Sequence, residues 1–122
     1  MLIAQVGNST RRRPPIPGGP IAEALVPADG SDRVAVIHVE VPAGGGMPEH
    51  DHGASQIVLI QETGSVEVGH DGKSETLSAG AVAYIAKGER VSITNPGTET
   101  ATLMVVASPA DFAAQLANWP TA

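Results

Sequence analysis

Two histidines one residue apart, His50 and His52, hold most of the chemistry available to this chain. Alternate side chains of an extended strand share a face, so the two imidazoles would point the same way, and Gln56, four residues on, would join them. Imidazole nitrogens and an amide oxygen can coordinate a metal, and imidazole also moves protons near neutral pH. Three functions are open to such a group. A metal held by His50, His52 and Gln56 could polarise a substrate oxygen or activate dioxygen. One histidine could act alone in acid–base catalysis. The same residues could also line a metal-free pocket that binds or senses a small molecule. Glu49 and Asp51 alternate to the opposite face and are expected in solvent. Tyr84 shares a face with Val82 and Ala86, which makes it the interior candidate for a catalytic acid, base or orienting donor; the alternative is a core residue with its hydroxyl at the edge.

The elements that position these residues read as short strands. Pro42 to Pro48 is a Gly/Pro-rich turn, and a strand from about His50 to Gln61 carries the apolar run Ile57-Val58-Leu59-Ile60 toward a core. Before it, Arg33–Val41 alternates, with Ala35, Ile37, Val39 and Val41 facing inward and His38 facing away. After a bend at Glu62-Thr63-Gly64, strands at Ser65–Gly69 and Lys73–Leu77 flank Asp71-Gly72, a strong hairpin signal that leaves His70 at a solvated turn. Ala81–Ala86, Arg90–Asn95 and Thr100–Ala107 are further strands. A helix is predicted from Ser108 to about Asn118, with Ser108 as N-cap, Pro109 at the first helical position, and Phe112, Leu116 and Trp119 near one face. Residues 1–33 are too rich in Pro and Gly for a helix; they read as an arm with short extended pieces at Leu2–Val6 and Ile21–Val26, lying along the body or a partner subunit. The whole describes an all-β sandwich or barrel.

Composition narrows the rest. A chain of 122 residues without a repeat is expected to form one domain with one core. The lack of Cys rules out disulfides and thiolate metal sites. A net charge of −6 argues against a nucleic-acid partner, and Arg11-Arg12-Arg13 beside Pro14-Pro15 reads as a solvated tail. No apolar segment is long enough to span a membrane and the first residues lack the order of a signal peptide, so a cytoplasmic location without membrane contact is expected.

The spacing of two motifs resembles that of the small single-domain cupins. The family's first motif runs Gly, five residues, His-x-His, three or four residues, Glu, six residues, Gly; here Gly44, His50-Asp51-His52 and Gln56 follow in order, with Gly64 one residue late. Its second runs Gly, five residues, Pro-x-Gly, two residues, His, three residues, Asn; here Gly80, Ala86-Lys87-Gly88, Val91 and Asn95 keep the spacing. The resemblance implies a double-stranded β-helix, a jelly-roll-like barrel, over residues 33–107, with an arm over 1–32 and a helix and tail over 108–122. It further implies a small-molecule ligand, commonly a homodimer, and one divalent metal (iron, nickel, copper, zinc or manganese). Carried over residue by residue, the ligand set is His50, His52, Gln56 in place of Glu, and Val91 in place of His. Gln56 brings no charge and Val91 cannot coordinate, so metal affinity would fall, although a three-ligand site with open positions is also what catalytic metals use.

Overall fold

The computed structural model describes residues 1–122. Ten strands and one helix follow in order: β1 (Arg11–Arg12), β2 (Ile21–Val26), β3 (Ala35–Val41), β4 (Gly46–His50), β5 (Gln56–Thr63), β6 (Ser65–His70), β7 (Lys73–Ser78), β8 (Val82–Ile85), β9 (Val91–Thr94), β10 (Ala101–Ser108) and α1 (Asp111–Leu116). The strands pair antiparallel into a six-stranded sheet, β1-β2-β3-β10-β5-β8, and a four-stranded sheet, β4-β9-β6-β7. The all-β barrel with a short C-terminal helix is the fold that the strand pattern and the motif spacing led us to expect. No helix is long and apolar enough to cross a membrane.

The core is aliphatic, as alternation requires. On β10, Ala101, Leu103, Val105 and Ala107 are buried while the residues between them are half-buried. They meet Ile37 and Val41 from β3, Ile57 and Leu59 from β5, and Val66 from β6. Each fully buried aliphatic side chain of this size contributes about 1.5–3 kcal/mol of transfer free energy. The hairpin at Asp71-Gly72 forms with φ +51° and +72°, the left-handed pair that lets a two-residue turn follow the strand twist.

Several local expectations shift. Of the arm, Leu2–Val6 forms no strand, but β1 and β2 join the six-stranded sheet beside β3. The segment expected as one strand from His50 to Gln61 is two, β4 and β5, separated by residues 51–55 with Gly53 at φ +61°. The helix begins at Asp111, because Ser108 stays in β10 opposite Gln56; Ala110 occupies the N-cap position and offers no side-chain bond. His38 does face away from the core, yet it is only 9% exposed. It lies between Glu23 of β2 and Met104 of β10, and its Nε2 is 3.5 Å from the Glu62 carboxylate. The N-terminal segment covers this patch, since Glu23, itself buried, accepts the N–H groups of Gly7 and Ser9.

Candidate functional site

The Gly-rich turn brings the His-bearing strand against β9. Gly46 donates its N–H to the Gly18 carbonyl, and Gly45 accepts from Asn95 while Gly44 donates back to the Asn95 carbonyl. A Cβ on Gly46 would overlap the Ile93 carbonyl, so only glycine allows this approach. Asn95 is buried and anchors the other side: its amide donates to the carbonyls of Val41 and Glu99 and its Oδ1 accepts from Gly97. Arg90 ties down the outer face, donating to Glu49 at 3.0 Å and to Asp51 at 3.3 Å. Both carboxylates thus face outward, as the alternation suggests.

His50 and His52 come together at the wall of a half-open cavity of about 210 Å³ between the sheets. Their ring centroids are 4.7 Å apart at an edge-on angle of 67°. His50 Nδ1 lies 2.8 Å from the Pro48 carbonyl. His52 is 5% exposed, and its Nδ1 is buried with no hydrogen-bond partner. Burial, reinforced by the neighbouring His50 and opposed by Asp51, lowers the His52 pKa to about 4, so this imidazole is neutral at pH 7. The other walls are apolar: Val39, Leu59, Ile93 and Leu103 from the sheets, and Phe112 and Trp119 from the C-terminal segment. Phe112 meets the His52 ring edge-on, with centroids 4.8 Å apart. Among the lining residues only His50, Asp51, His52, Gln115 and the indole N–H of Trp119 offer polar side-chain atoms, and none is Lys or Arg.

Ser55, to which the sequence alone assigned no role, sets the position of that C-terminal segment. Its hydroxyl is buried, donates to the Pro109 carbonyl at 2.7 Å and accepts the Phe112 N–H at 3.2 Å. It therefore caps α1 from the loop after His52, the role the sequence assigns to Ser108.

Gln56 and Tyr84 do not join the two histidines. Both are exposed on the outer face of the six-stranded sheet, where the Tyr84 hydroxyl donates to Gln56 Oε1 at 2.6 Å. Period-two alternation cannot be carried from His52 to Gln56 because residues 51–55 are not a strand. The inward residue at the start of β5 is Ile57, fully buried. Counting four residues after His52 instead of three puts Ile57 at the family's Glu position and leaves six residues before Gly64. The late Gly64 was the signal for this register. For Tyr84, β8 pairs with β5 so that Tyr84 lies opposite Val58 and Ile85 opposite Ile57, which puts Ile85 inside.

The donor set therefore does not fit the metal that the resemblance implies. Ile57 and Val91, both buried, are apolar at two of the four ligand positions, and Gln56 is turned outside. Two imidazoles remain, fewer than the three protein ligands of catalytic sites. Elsewhere too, no group of three or more His, Asp or Glu side chains is arranged so that it could hold a metal ion. His70 is exposed at its hairpin; the Arg90 carbonyl bound to it, opposed by desolvation and helped by Asp71, Glu89 and Glu49, raises its pKa. A larger open groove of about 990 Å³ runs between the N-terminal segment, β2 and α1, but no histidine lines it and its walls are mostly apolar.

Comparison with known proteins places this architecture. No curated protein matches the chain. Among solved structures, a protein of Thermotoga maritima described as a predicted oxalate decarboxylase superposes with TM-score 0.77 at 18% identity, covering 88% of this chain and 99% of its own. The polyketide cyclase RemF of Streptomyces resistomycificus has TM-score 0.77 at 22% identity, over 88% of this chain and 79% of its own. A Cupin 2 conserved barrel domain protein of Salinispora arenicola has TM-score 0.73 at 24% identity, over 96% of both chains. At these identities the likeness concerns the fold. The family model for the cupin domain matches residues 37–107, more than half of the sequence, and with both motifs in register on the strands described above, the chain belongs to the cupin family.

Proposed function

We propose that this cupin binds a small molecule in the cavity beside His50 and His52 and does so without a metal held by the family's ligand set. The observation that carries this reading is the cavity itself: it brings two imidazoles to one end of an apolar chamber, whereas the residues at the Glu and second-motif His positions are Ile57 and Val91. Its volume is below the ~300–1,000 Å³ of pockets for drug-sized molecules, which suits a compact ligand. His50 and His52 would hold and orient the ligand's polar group, and the neutral His52 could exchange a hydrogen bond with it. Whether a reaction follows is read from the ligand's fate.

The test is the elemental content of protein purified without a His tag, followed by anaerobic titration with iron, nickel, copper, manganese and zinc. The expected result is substoichiometric metal and no micromolar binding. Near-stoichiometric metal that disappears in His50→Ala would make a metalloenzyme the better reading. Mass spectrometry of the incubated ligand separates an enzyme, which yields product, from a binding or sensing module, which does not.

We further infer self-association into a homodimer through the outer face of the six-stranded sheet. Val82 and Tyr84 are each 61% exposed, and their neighbours Val58 and Ile60 on β5 continue an apolar surface up to the sheet's free edge at β8. Sedimentation of a Val82→Lys/Tyr84→Lys variant tests it: the expected species is a monomer, and an unchanged dimer would place the interface elsewhere.

A further inference from the structure

The chemical class of the ligand can be read from the polar atoms left free in the cavity. This rests on the reading that the cavity is the binding site. A carbonyl oxygen only accepts, so the His50 Nδ1 beside the Pro48 carbonyl carries the hydrogen. In the neutral imidazole the remaining nitrogen, Nε2, is then a hydrogen-bond acceptor. It can bind only a donor.

Charge points the same way. No Lys or Arg lines the cavity, and the one carboxylate beside it, Asp51, is turned outward to Arg90 and to the Gly53 N–H. A ligand carboxylate would be partly desolvated among Val39, Leu59, Ile93, Leu103 and Phe112 and would face the lone pair of His50, with only the neutral donors of Gln115 and Trp119 on the walls and no cation to pair with. Protonating His52 to meet it is opposed by its burial and by the neighbouring His50 ring 4.7 Å away. A neutral ligand with an O–H or N–H avoids all of these costs. Its apolar remainder would rest on the aliphatic walls and on the rings of Phe112 and Trp119.

We propose that the cavity selects an uncharged, compact, mainly apolar molecule with a single hydroxyl or amide donor, which it presents to His50 Nε2, and that it excludes carboxylates. Trp119 is the only tryptophan and lines the cavity, so its fluorescence reports occupancy directly. The probes are benzamide and benzoate, which share a planar shape and differ in charge and in the N–H donor. Titrations are run at pH 8, above the ordinary imidazole value of about 6.5. A parallel titration of Val39→Phe, which fills the cavity from its wall, shows where the probes bind; Ile93→Phe replaces it if that variant does not fold by circular dichroism.

The expected result is a saturable change with benzamide, binding of benzoate weaker by about tenfold or more, and loss of the benzamide response in the filled variant. Benzoate binding as tightly as benzamide, and lost in the filled variant, would overturn the ligand class while leaving the cavity as the site. No response to either probe, or a response that survives filling, would overturn the cavity reading and this proposal with it.

Discussion

Replacing Ser55 with alanine tests whether α1 is capped from the His-bearing loop. The side chain is 1% exposed and makes two hydrogen bonds, to the Pro109 carbonyl and from the Phe112 N–H. Alanine removes both and leaves a carbonyl and a helix N-terminal N–H short of partners at a partly buried joint. Unsatisfied buried groups cost about 1–3 kcal/mol each, and part of that is recovered where water reaches the helix end, so the sum is about 2–3 kcal/mol. For a chain of this size about 1 kcal/mol corresponds to roughly 3–5 °C in Tm, giving a fall of about 6–15 °C. The comparison is Ser108→Ala, which removes the hydroxyl that the sequence nominates as the cap. Ser108 is exposed at the end of β10, and its loss is expected within about 0.5 kcal/mol. Thermal unfolding followed by circular dichroism and by Trp119 emission reads both variants. The capping argument is refuted if Ser108→Ala is the more damaging, or if Ser55→Ala lowers Tm by less than about 2 °C with unchanged emission.

Other outcomes follow from the same geometry. Gln56→Glu combined with Val91→His should raise divalent-metal affinity only as far as the new imidazole does, because position 56 faces Tyr84 outside, whereas Ile57→Glu with Val91→His should raise it further; calorimetric titration of the two variants would contradict the register if their order were reversed. His52, with its pKa lowered to about 4, should show no imidazole titration by NMR between pH 5.5 and 8. The unfolded chain, with an ordinary value of 6.5, binds the proton first, so this residue's contribution to stability is present above pH 6.5 and is lost as pH falls toward 4. A His52 resonance titrating near 6.5 in the folded protein would mean the ring is solvated. Gly46→Ala should destabilise by about 3 kcal/mol or more, since its Cβ would meet the Ile93 backbone, and a Tm within 2 °C of the parent would show that the turn can open.

Much of the fold was legible because its signals are local. Alternation on β3 placed Ile37 and Val41 inside, Thr100–Ala107 read as the strand that became β10, and Asp71-Gly72 announced the hairpin. Glycines at turns and the spacing of His50, His52 and Asn95 marked the two motifs. These depend on backbone sterics and on a side-chain period of two, which hold wherever a strand is continuous.

What only the tertiary structure decided lies where continuity fails or where partners are far apart in sequence. The loop 51–55 resets the phase between His52 and β5, so Gln56 turns outward and Ile57 takes the inward place. Pairing of β8 with β5 sends Tyr84 to the surface, although its own strand reads equally well either way. His38 is buried because an N-terminal segment folds over its face, and α1 is capped by Ser55 instead of by Ser108. By itself the sequence determined an aliphatic β-barrel with two imidazoles at its mouth. Packing determined that those imidazoles meet a largely apolar chamber without a cation, its one neighbouring carboxylate, Asp51, held outward by Arg90, because which side chains converge is set by sheet pairing and by contacts over tens of residues, and no local pattern records them.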